Sequence, residues 1–80
     1  MNFYEALNKM NDSRTPCYMC LIDSFETIND EGKDDTDLDV YVVAFNPLWM
    51  AEVKFLQNNK EVSRIPTRIL LSNDWEVMES

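Results

Sequence analysis

The spacing of hydrophobic residues divides the chain into one helix and several strands. The first apolar residues recur with a helical period and predict a helix over residues 3–10, for which Asn2 is a suitable cap. These apolar residues are Phe3, Ala6, Leu7 and Met10. An almost continuous apolar run at residues 17–23 and a β-branched, aromatic run at residues 40–45 are both typical of strands.

The second half of the chain continues with strand and turn signals. Residues 48–57 alternate between apolar and charged side chains, which favours a strand with one buried face. Asn-Asn-Lys at 58–60 indicates a hairpin turn, because asparagine tolerates the positive φ of such turns. Residues 61–65 are predicted to return as a strand and to end at a proline. One helical turn and a short last strand, residues 75–78, follow.

These elements predict a single α+β domain over residues 1–80, with one N-terminal helix packed on an antiparallel sheet of four to five strands. A chain of this length buries only about 60 % of its unfolded surface. Cys17 and Cys20 fall on opposite faces of an extended strand, which is poor geometry for a disulfide. The chain has no histidine, which argues against a zinc site. We therefore expect a homo-oligomer.

The acidic residues are concentrated in one segment. Residues 23–39 carry eight carboxylates against one lysine, a net charge of −7 within a chain of net charge −8. We interpret residues 24–39 as a long acidic loop, which at that length is either mobile or functional. An acidic chain without a basic face does not favour double-stranded nucleic acid as a partner. With no signal peptide and no apolar run of ~20 residues, we expect no membrane association and a cytoplasmic location.

The residue types exclude several kinds of catalytic site. Without histidine there is no Ser-His-Asp or Cys-His nucleophile, and one glycine cannot build a phosphate-binding loop. The acidic run at residues 35–39 does not fit a calcium loop, because Val40 and Asn46 stand where glycine and glutamate are needed. Acid–base chemistry at Asp23 or Asp74 stays open, but the spacing does not favour it. We predict no metal, no cofactor and no catalytic residue.

Flat side chains and arginines near the C-terminus are the remaining candidates for a site. Trp49 follows an Asn-Pro step and Trp75 follows a corner, while Arg64 and Arg68 flank Pro66. Aromatic rings and guanidinium groups together can bind a nucleotide, because the base stacks on the ring and the phosphates accept hydrogen bonds from arginine. The alternative interpretation makes Trp75 a core residue, Asp74 a turn residue and the arginines ordinary surface charges.

The two ends of the chain, "MNFYEALNKM" and "NNKEVSRIPTRILLSNDWEV", carry a more specific pattern. It resembles the Thoeris anti-defence sponge family of small phage proteins. Members of that family start with Met-x-Phe-x-x-Ala-Leu and end with a Pro-Ser step, an aspartate directly before Leu-Leu-Ala, and an Asp-Trp pair before a closing strand. The matching positions are Phe3, Ala6, Leu7, Pro66, Thr67 in place of serine, Leu70, Leu71, Ser72 in place of alanine, Asp74 and Trp75.

The chain also departs from that pattern. The usual basic turn ending in Arg-x-x-Trp is shortened around residues 11–17 and retains only Arg14. Arg64 stands where a tryptophan often precedes the Pro-Ser step, and Ile69 replaces the usual aspartate. Three ligand-binding positions are implied by the resemblance, namely Thr67, Asp74 and Trp75. Three more follow from residue type alone, namely Trp49, Arg64 and Arg68.

The resemblance implies a non-catalytic function. Family members are homo-oligomers, commonly tetramers, that bind and sequester cyclic ADP-ribose isomers in pockets between subunits, and some also bind cyclic dinucleotides. We expect a dimer or tetramer that acts in the host cytoplasm. In this interpretation Thr67 caps the helical turn, and Leu70 and Leu71 anchor it so that Asp74 and Trp75 are held in a pocket.

Two other functions stay open. The first is direct inhibition of a host defence protein, in which the acidic loop binds a basic surface of that protein. The second is an enzyme that acts on nucleotides, which would convert the compound that it binds.

Overall fold

The N-terminal helix forms where the helical spacing predicts it. The computed structural model describes residues 1–46, 48 and 52–79, and in it α1 spans Phe3–Asn11. The Asn2 side chain accepts a hydrogen bond from the Glu5 amide, and the Glu5 carboxylate accepts one from the Asn2 amide. This reciprocal capping box fixes the start of the helix. Ala6 and Met10 are its fully buried residues, one turn apart on one face.

The remaining elements form one antiparallel sheet. Its strands are β1 (Cys17–Ile28), β2 (Asp34–Phe45), β3 (Val53–Gln57), β4 (Lys60–Val62) and β5 (Glu76–Glu79), and a short helix α2 (Thr67–Leu70) lies between β4 and β5. The strand order is β4-β3-β2-β1-β5, and every neighbouring pair is antiparallel. The prediction of an α+β fold, with one N-terminal helix packed on an antiparallel sheet, is confirmed, and the described residues form five strands.

One face of the sheet carries the hydrophobic core. Side chains alternate between the two faces of a strand, and the buried strand residues are all at odd positions. They are Cys17, Met19 and Leu21 in β1 and Tyr41, Val43 and Phe45 in β2. The two helices pack on this same face, together with the buried Ile65, Ile69 and Trp75. The opposite face contributes no buried residue in the part of the chain that the structure describes.

The interpretation of residues 24–39 as a loop is wrong. β1 and β2 stay paired as far as Ile28 opposite Asp34, and only residues 29–33 turn. Gly32 has a φ of 76°, which suits glycine, and the Asn29 side chain accepts hydrogen bonds from two amides of the turn. Local hydrogen bonding of this kind lets a short turn replace a long loop.

The outer half of this hairpin forms a projecting ribbon, which we call the acidic arm (residues 22–40). β3 pairs with β2 only between residues 41 and 45, and β5 pairs with β1 only between residues 17 and 20. In the acidic arm each strand therefore has one neighbour only. The molecule is correspondingly long, with extents of 49 × 22 × 21 Å.

Two smaller boundaries also differ from the predictions. The predicted strand 48–57 is observed from Val53, and part of its predicted start lies outside the described residues. The returning strand ends at Val62 rather than at residue 65. The buried Ile65 lies between this strand and α2. The hairpin turn is confirmed, because Asn58 and Asn59 have φ values of 52° and 67°, as a type I′ turn requires.

Candidate functional site

The C-terminal corner brings the two ends of the chain together. The Met1 ammonium group donates to the carbonyl oxygens of Asn73 at 3.0 Å and Trp75 at 3.1 Å, and the Trp75 amide donates to the Met1 carbonyl at 3.1 Å. The Phe3 ring meets the Trp75 indole edge-on, with centroids 5.5 Å apart and planes at 74°. The two segments that carry the family resemblance therefore form one packed unit.

Trp75 lies in the core of this unit. Its exposed fraction is 0 %, and its indole Nε1 donates to the Ile69 carbonyl at 3.1 Å. A fully covered indole offers no ring face on which a base can stack. The structure thus places Trp75 as the core residue of the alternative interpretation, and a direct contact with a ligand would require the corner to open.

The short helix α2 is anchored differently from the prediction. Pro66 is the residue before its first turn, and Thr67 makes no side-chain capping bond, so the predicted cap is wrong. The Thr67 side chain is exposed instead. Ile69 is buried and Leu70 packs against the core, whereas Leu71 is 76 % exposed and does not anchor the turn. A single helical turn presents only one side to the core, which Ile69 and Leu70 occupy.

Asp74 lies on the surface next to the corner. Its amide donates to the Ser72 Oγ at 3.2 Å, and that hydroxyl donates to the Asp74 Oδ2 at 3.4 Å, a geometry typical of a turn. Asp74 borders a shallow depression of about 230 Å³ whose other lining residues are Cys20, Leu21, Ile22, Glu76 and Met78. A carboxylate at the edge of an apolar depression can accept a hydrogen bond from a ligand hydroxyl.

Arg68 joins α2 to the base of the acidic arm. Its Nη1 donates to the Asp23 Oδ2 at 2.8 Å. Asp23 stands directly opposite Asp39 across the β1–β2 ladder, and like charges in that position repel. The Asn58 side chain donates to the Asp39 Oδ1 at 2.9 Å, so both carboxylates of the pair have a donor. These two contacts tie the acidic arm to the body of the domain.

The charges at this junction act on one another. The hydrogen bond and negative charge of Asp23 raise the pKa of the Arg68 guanidinium, which keeps it protonated. Burial raises the pKa of the neighbouring Tyr41 hydroxyl, and the carboxylates of Asp39 and Asp23 raise it further, against the opposing effect of Arg68. The Tyr41 hydroxyl therefore stays neutral, and Arg68 is the cation that balances the carboxylate pair.

The other predicted site residues are not gathered around a cavity. Arg64 is exposed and makes no ion pair with any residue that the structure describes. Trp49 lies outside the described residues. Neither Arg64 nor Arg68 lines the depression beside Asp74. Within one chain, the structure brings together Asp74 and Trp75 at the corner and leaves the two arginines on exposed surface.

The pairing of Asn58 with Asp39 and of Asp23 with Arg68 does not follow from the sequence pattern. The sequence indicates Asn58 only as a turn residue, since its contact with the acidic arm depends on how β2 lies beside the turn. The pairing of Asp23 with Arg68 joins residues 45 positions apart, so no short-range sequence pattern indicates it. The strand register, once β1 and β2 are aligned, would have shown that Asp23 and Asp39 need a cation.

The cysteines offer no reactive thiol. Cys17 and Cys20 are both free, and burial raises the pKa of each thiol, so both stay protonated near neutral pH. Among the residues that the structure describes, no three potential metal ligands come together. In the same ranges, no helix is long and apolar enough to cross a membrane.

We compared the chain with protein-family models, with curated proteins and with solved structures, and none of the three comparisons returned a match.

Proposed function

We propose that the protein binds and sequesters a cyclic nucleotide immune signal without converting it. The ligand would be a cyclic ADP-ribose isomer, with cyclic dinucleotides as a further class, and the protein would act as a phage anti-defence homo-oligomer in the host cytoplasm. The observation that supports this proposal is the corner itself. The matched segments at the two ends of the sequence pack on one another through Met1, Phe3 and Trp75, as expected of a motif inherited as one structural unit.

The exposed residues around the corner have suitable chemistry for such a ligand. The guanidinium groups of Arg64 and Arg68 can donate paired hydrogen bonds to phosphates. The exposed Thr67 hydroxyl lies next to Arg68 in sequence, and the Asp74 carboxylate can accept from a ribose hydroxyl. In this proposal Trp75 does not stack on the base, because it is buried, and instead fixes the position of Asp74.

The depression beside Asp74 is too small to enclose a nucleotide. Ligand pockets usually have ~300–1,000 Å³ and cover most of the ligand, whereas the depression beside Asp74 is shallow and has about 230 Å³. In this proposal, a pocket formed between copies of the chain supplies the additional volume and covers the ligand. Trp49, which lies outside the described residues, remains the stacking candidate in this proposal.

Binding at Arg68 would compete with the acidic arm. The Asp23 carboxylate occupies Arg68 at 2.8 Å, so a ligand phosphate must replace it or share the guanidinium. This gives a clear expectation for two variants. Arg68→Ala removes the cation and weakens binding, whereas Asp23→Asn frees the cation and strengthens binding or leaves it unchanged.

The test is calorimetric titration of the purified protein with a panel of cyclic ADP-ribose isomers and cyclic dinucleotides. Each ligand is recovered from the heated complex and analysed by chromatography. We expect submicromolar binding of at least one compound, which is released intact. Arg64→Ala and Arg68→Ala should each weaken binding at least tenfold, while Lys33→Ala, which removes an equal charge at the tip of the acidic arm, should not. Binding of no compound by the folded protein overturns the proposal, and a converted compound identifies an enzyme instead.

The acidic arm supports a second candidate function, direct binding to a basic surface of a host defence protein. The arm projects from the body and carries the net charge of −7 on a two-stranded ribbon. Phe25, Ile28 and Leu38 are exposed along it and could add apolar contacts. The triple change Asp34→Asn, Asp35→Asn and Asp37→Asn should abolish anti-defence activity if the arm binds the target, and should leave it intact if the protein is a nucleotide sponge.

A further inference from the structure

Each strand of the acidic arm has one edge without a neighbouring strand. β5 pairs with β1 only as far as Cys20, and β3 pairs with β2 only from Tyr41 to Phe45. The edge of a strand presents backbone amides and carbonyls that can pair with a further strand. Both edges of the acidic arm therefore have the geometry for strand pairing, but they differ in how their amides are occupied.

The β2 edge of the acidic arm is closed by its own side chains. The Asp35 Oδ1 accepts a hydrogen bond from the Thr36 amide at 2.8 Å, and the Asp37 Oδ1 accepts one from the Leu38 amide at 2.9 Å. An amide that already donates to a nearby carboxylate has less to gain from a new strand. This edge is therefore a poor template for strand pairing.

The direction of the β2 amides fixes the direction of the backbone groups on β1. Val40 bonds through both its amide and its carbonyl to Asn58, so its backbone groups point away from β1. In an antiparallel pair, residues directly opposite each other either both point inward or both point outward, and the two kinds alternate. The β1 residues opposite the even-numbered residues Val40, Leu38 and Thr36 therefore also point outward, and they are Ile22, Ser24 and Glu26.

The β1 edge of the acidic arm is open. Among the described residues, nothing bonds to the outward amides and carbonyls of Ile22, Ser24 and Glu26. We call the outer edge of β1 from Ile22 to Ile28 the open edge, and its seven residues span about 24 Å. β5 lies on the same side of β1 and is antiparallel to it, so an added strand takes the place that β5 leaves beyond Cys20.

The two faces beside the open edge have different chemistry. On the face of the helices, Asp35 and Asp37 of β2 lie opposite Thr27 and Phe25, and each carboxylate has an Oδ2 without a partner among the described residues. On the other face the exposed aliphatic side chains are those of Ile22, Ile28, Leu38 and Val40. A strand added to the open edge therefore meets carboxylates on one face and aliphatic groups on the other.

We infer that the open edge pairs with an extended segment of a partner protein, antiparallel to β1, in which basic and apolar residues alternate. The basic side chains lie on the face of Asp35 and Asp37, and the apolar ones lie beside Ile22 and Ile28. In strand addition, backbone hydrogen bonds supply affinity and the alternate side chains supply specificity. The net charge of −7 in the acidic arm selects a basic segment and repels a second copy of this chain.

The inference specifies how the second candidate function, binding of a basic partner by the acidic arm, would operate, and it does not depend on the nucleotide. Titration with a peptide tests the open edge, whereas titration with the nucleotide panel tests the proposed function. A protein that binds a compound of the panel but not the peptide refutes this inference alone. A protein that binds the peptide but no compound refutes nucleotide sequestration alone.

The experiment is titration of a fluorescein-labelled nonapeptide, in which lysine and valine alternate, with the whole chain, followed by fluorescence anisotropy. We expect a dissociation constant in the micromolar range at about 0.01 M sodium chloride. Binding should weaken about tenfold at about 0.15 M, because the Debye length falls from about 30 to about 8 Å.

Two N-methylated peptides separate strand pairing from simple charge attraction. In the inferred arrangement, the peptide residues opposite Ile22, Ser24 and Glu26 are the valines, so the valine amides donate to β1 and the lysine amides point away. Methylation of the valine amides should therefore weaken binding at least tenfold. Methylation of the lysine amides is the matched control and should leave binding unchanged, because charge and composition are the same in both peptides.

The variants Ser24→Pro and Thr36→Pro compare the two edges of the acidic arm. Each removes one outward amide without changing the charge, and proline is tolerated on an edge strand where the amide faces solvent. Ser24→Pro, on the open edge, should weaken peptide binding at least tenfold, whereas Thr36→Pro, on the closed edge, should not. Circular dichroism checks that both variants are folded.

Hydrogen exchange of the unmodified protein supplies a readout that needs no variant. The amides of Ile22, Ser24 and Glu26 should exchange more slowly when the peptide is bound, while those of Thr36 and Leu38 should not change. A peptide that binds equally well with methylated valine amides overturns the inference, as does unchanged exchange along the open edge. Protection of the same amides in the protein alone, as its concentration rises, would identify a second copy as the occupant and also overturn it.

Discussion

Replacing Trp75 by alanine tests the core placement that separates the two interpretations of the corner. The indole is fully buried and makes an edge-to-face contact with the Phe3 ring. Its Nε1 donates a hydrogen bond to the Ile69 carbonyl at 3.1 Å. Removing a buried tryptophan side chain costs about 3–5 kcal/mol through lost transfer energy and the cavity left behind. An 80-residue domain has a total stability of only about 4–12 kcal/mol. Trp75→Ala should therefore leave the protein close to unfolding at room temperature.

A graded series makes this prediction quantitative. Trp75→Phe keeps most of the apolar volume and loses the indole donor, so we expect a cost of about 1–2 kcal/mol. The Ile69 carbonyl still accepts from the Ser72 amide at 3.2 Å, which limits that cost. Leu71→Ala is the control on the same corner, because a residue that is 76 % exposed should change stability by no more than about 0.5 kcal/mol.

The assay is urea unfolding followed by far-ultraviolet circular dichroism, which does not depend on the fluorescence of the replaced tryptophan. The expected order of the midpoints is wild type, Leu71→Ala, Trp75→Phe and Trp75→Ala, from highest to lowest. If Trp75→Ala is as stable as Leu71→Ala, the core placement is refuted. The indole would then be free to contact a ligand, as the resemblance implies.

Three further predictions follow from the junction, the thiols and the acidic arm. Arg68→Ala should speed amide hydrogen exchange at the base of the acidic arm, because it leaves Asp23 without its 2.8 Å donor; unchanged exchange would show that this ion pair does not hold the arm. The folded protein raises the pKa of Cys17, Cys20 and Tyr41, so it binds more protons than the unfolded chain at alkaline pH. Thermal stability should fall as pH rises above the ordinary thiol value of 9.0 and through the folded-state values, and a melting temperature that is flat in this range contradicts the assignment. Amides of the outer acidic arm should exchange faster than those of the sheet centre at every salt concentration, because an isolated two-stranded ribbon is marginally stable; equal protection would mean that another surface covers the arm.

The sequence predicts the body of the fold because its local and global signals agree there. The helix pattern at Phe3, Ala6 and Met10 matches a buried face, and the Asn58–Asn59 turn has the backbone geometry that its residues favour. The odd positions of β1 and β2 face the core as strand alternation requires. Consistency between propensity, periodicity and turn chemistry is what makes these elements predictable.

The strands of the acidic arm are not predicted because the residue types of this segment have low strand propensity, although their spacing has the period of a strand. Aspartate, glutamate and glycine are depleted in strands, so residues 24–39 resembled a loop. Yet Asp35, Asp37 and Asp39 alternate with Thr36, Leu38 and Val40, which is the period of two expected of a strand. The apolar half of this alternation continues through β2 on the face opposite the helices.

The site was less predictable than the fold, since it depends on contacts between distant residues. Whether Thr67 caps α2, and whether Leu70 or Leu71 anchors it, depends on the side from which a single turn meets the core. The contact of Arg68 with Asp23 joins residues 45 positions apart in the sequence. Neither follows from sequence spacing alone.

About half of the positions that carry the resemblance have a structural role, whereas Thr67, Leu71 and Asp74 are exposed. Phe3, Ala6, Leu70 and Trp75 all belong to the core or pack against it. A scaffold can therefore be retained while the groups that meet a ligand change, because the core requires volume and shape rather than a particular ligand.

The chain differs from the pattern that it resembles at both exposed and buried positions, because Arg64 is exposed whereas Ile69 is buried. Arg64 replaces an aromatic residue, and the basic turn after the first helix is shortened to residues 11–17. An arginine in place of a ring exchanges stacking for phosphate recognition. If the proposed function holds, the preferred compound should be one whose binding depends more on its phosphates than on its base. Titration with compounds that share a pyrophosphate but differ in the base should then give similar affinities, and a strong preference for one base would place recognition at an aromatic residue such as Trp49 instead.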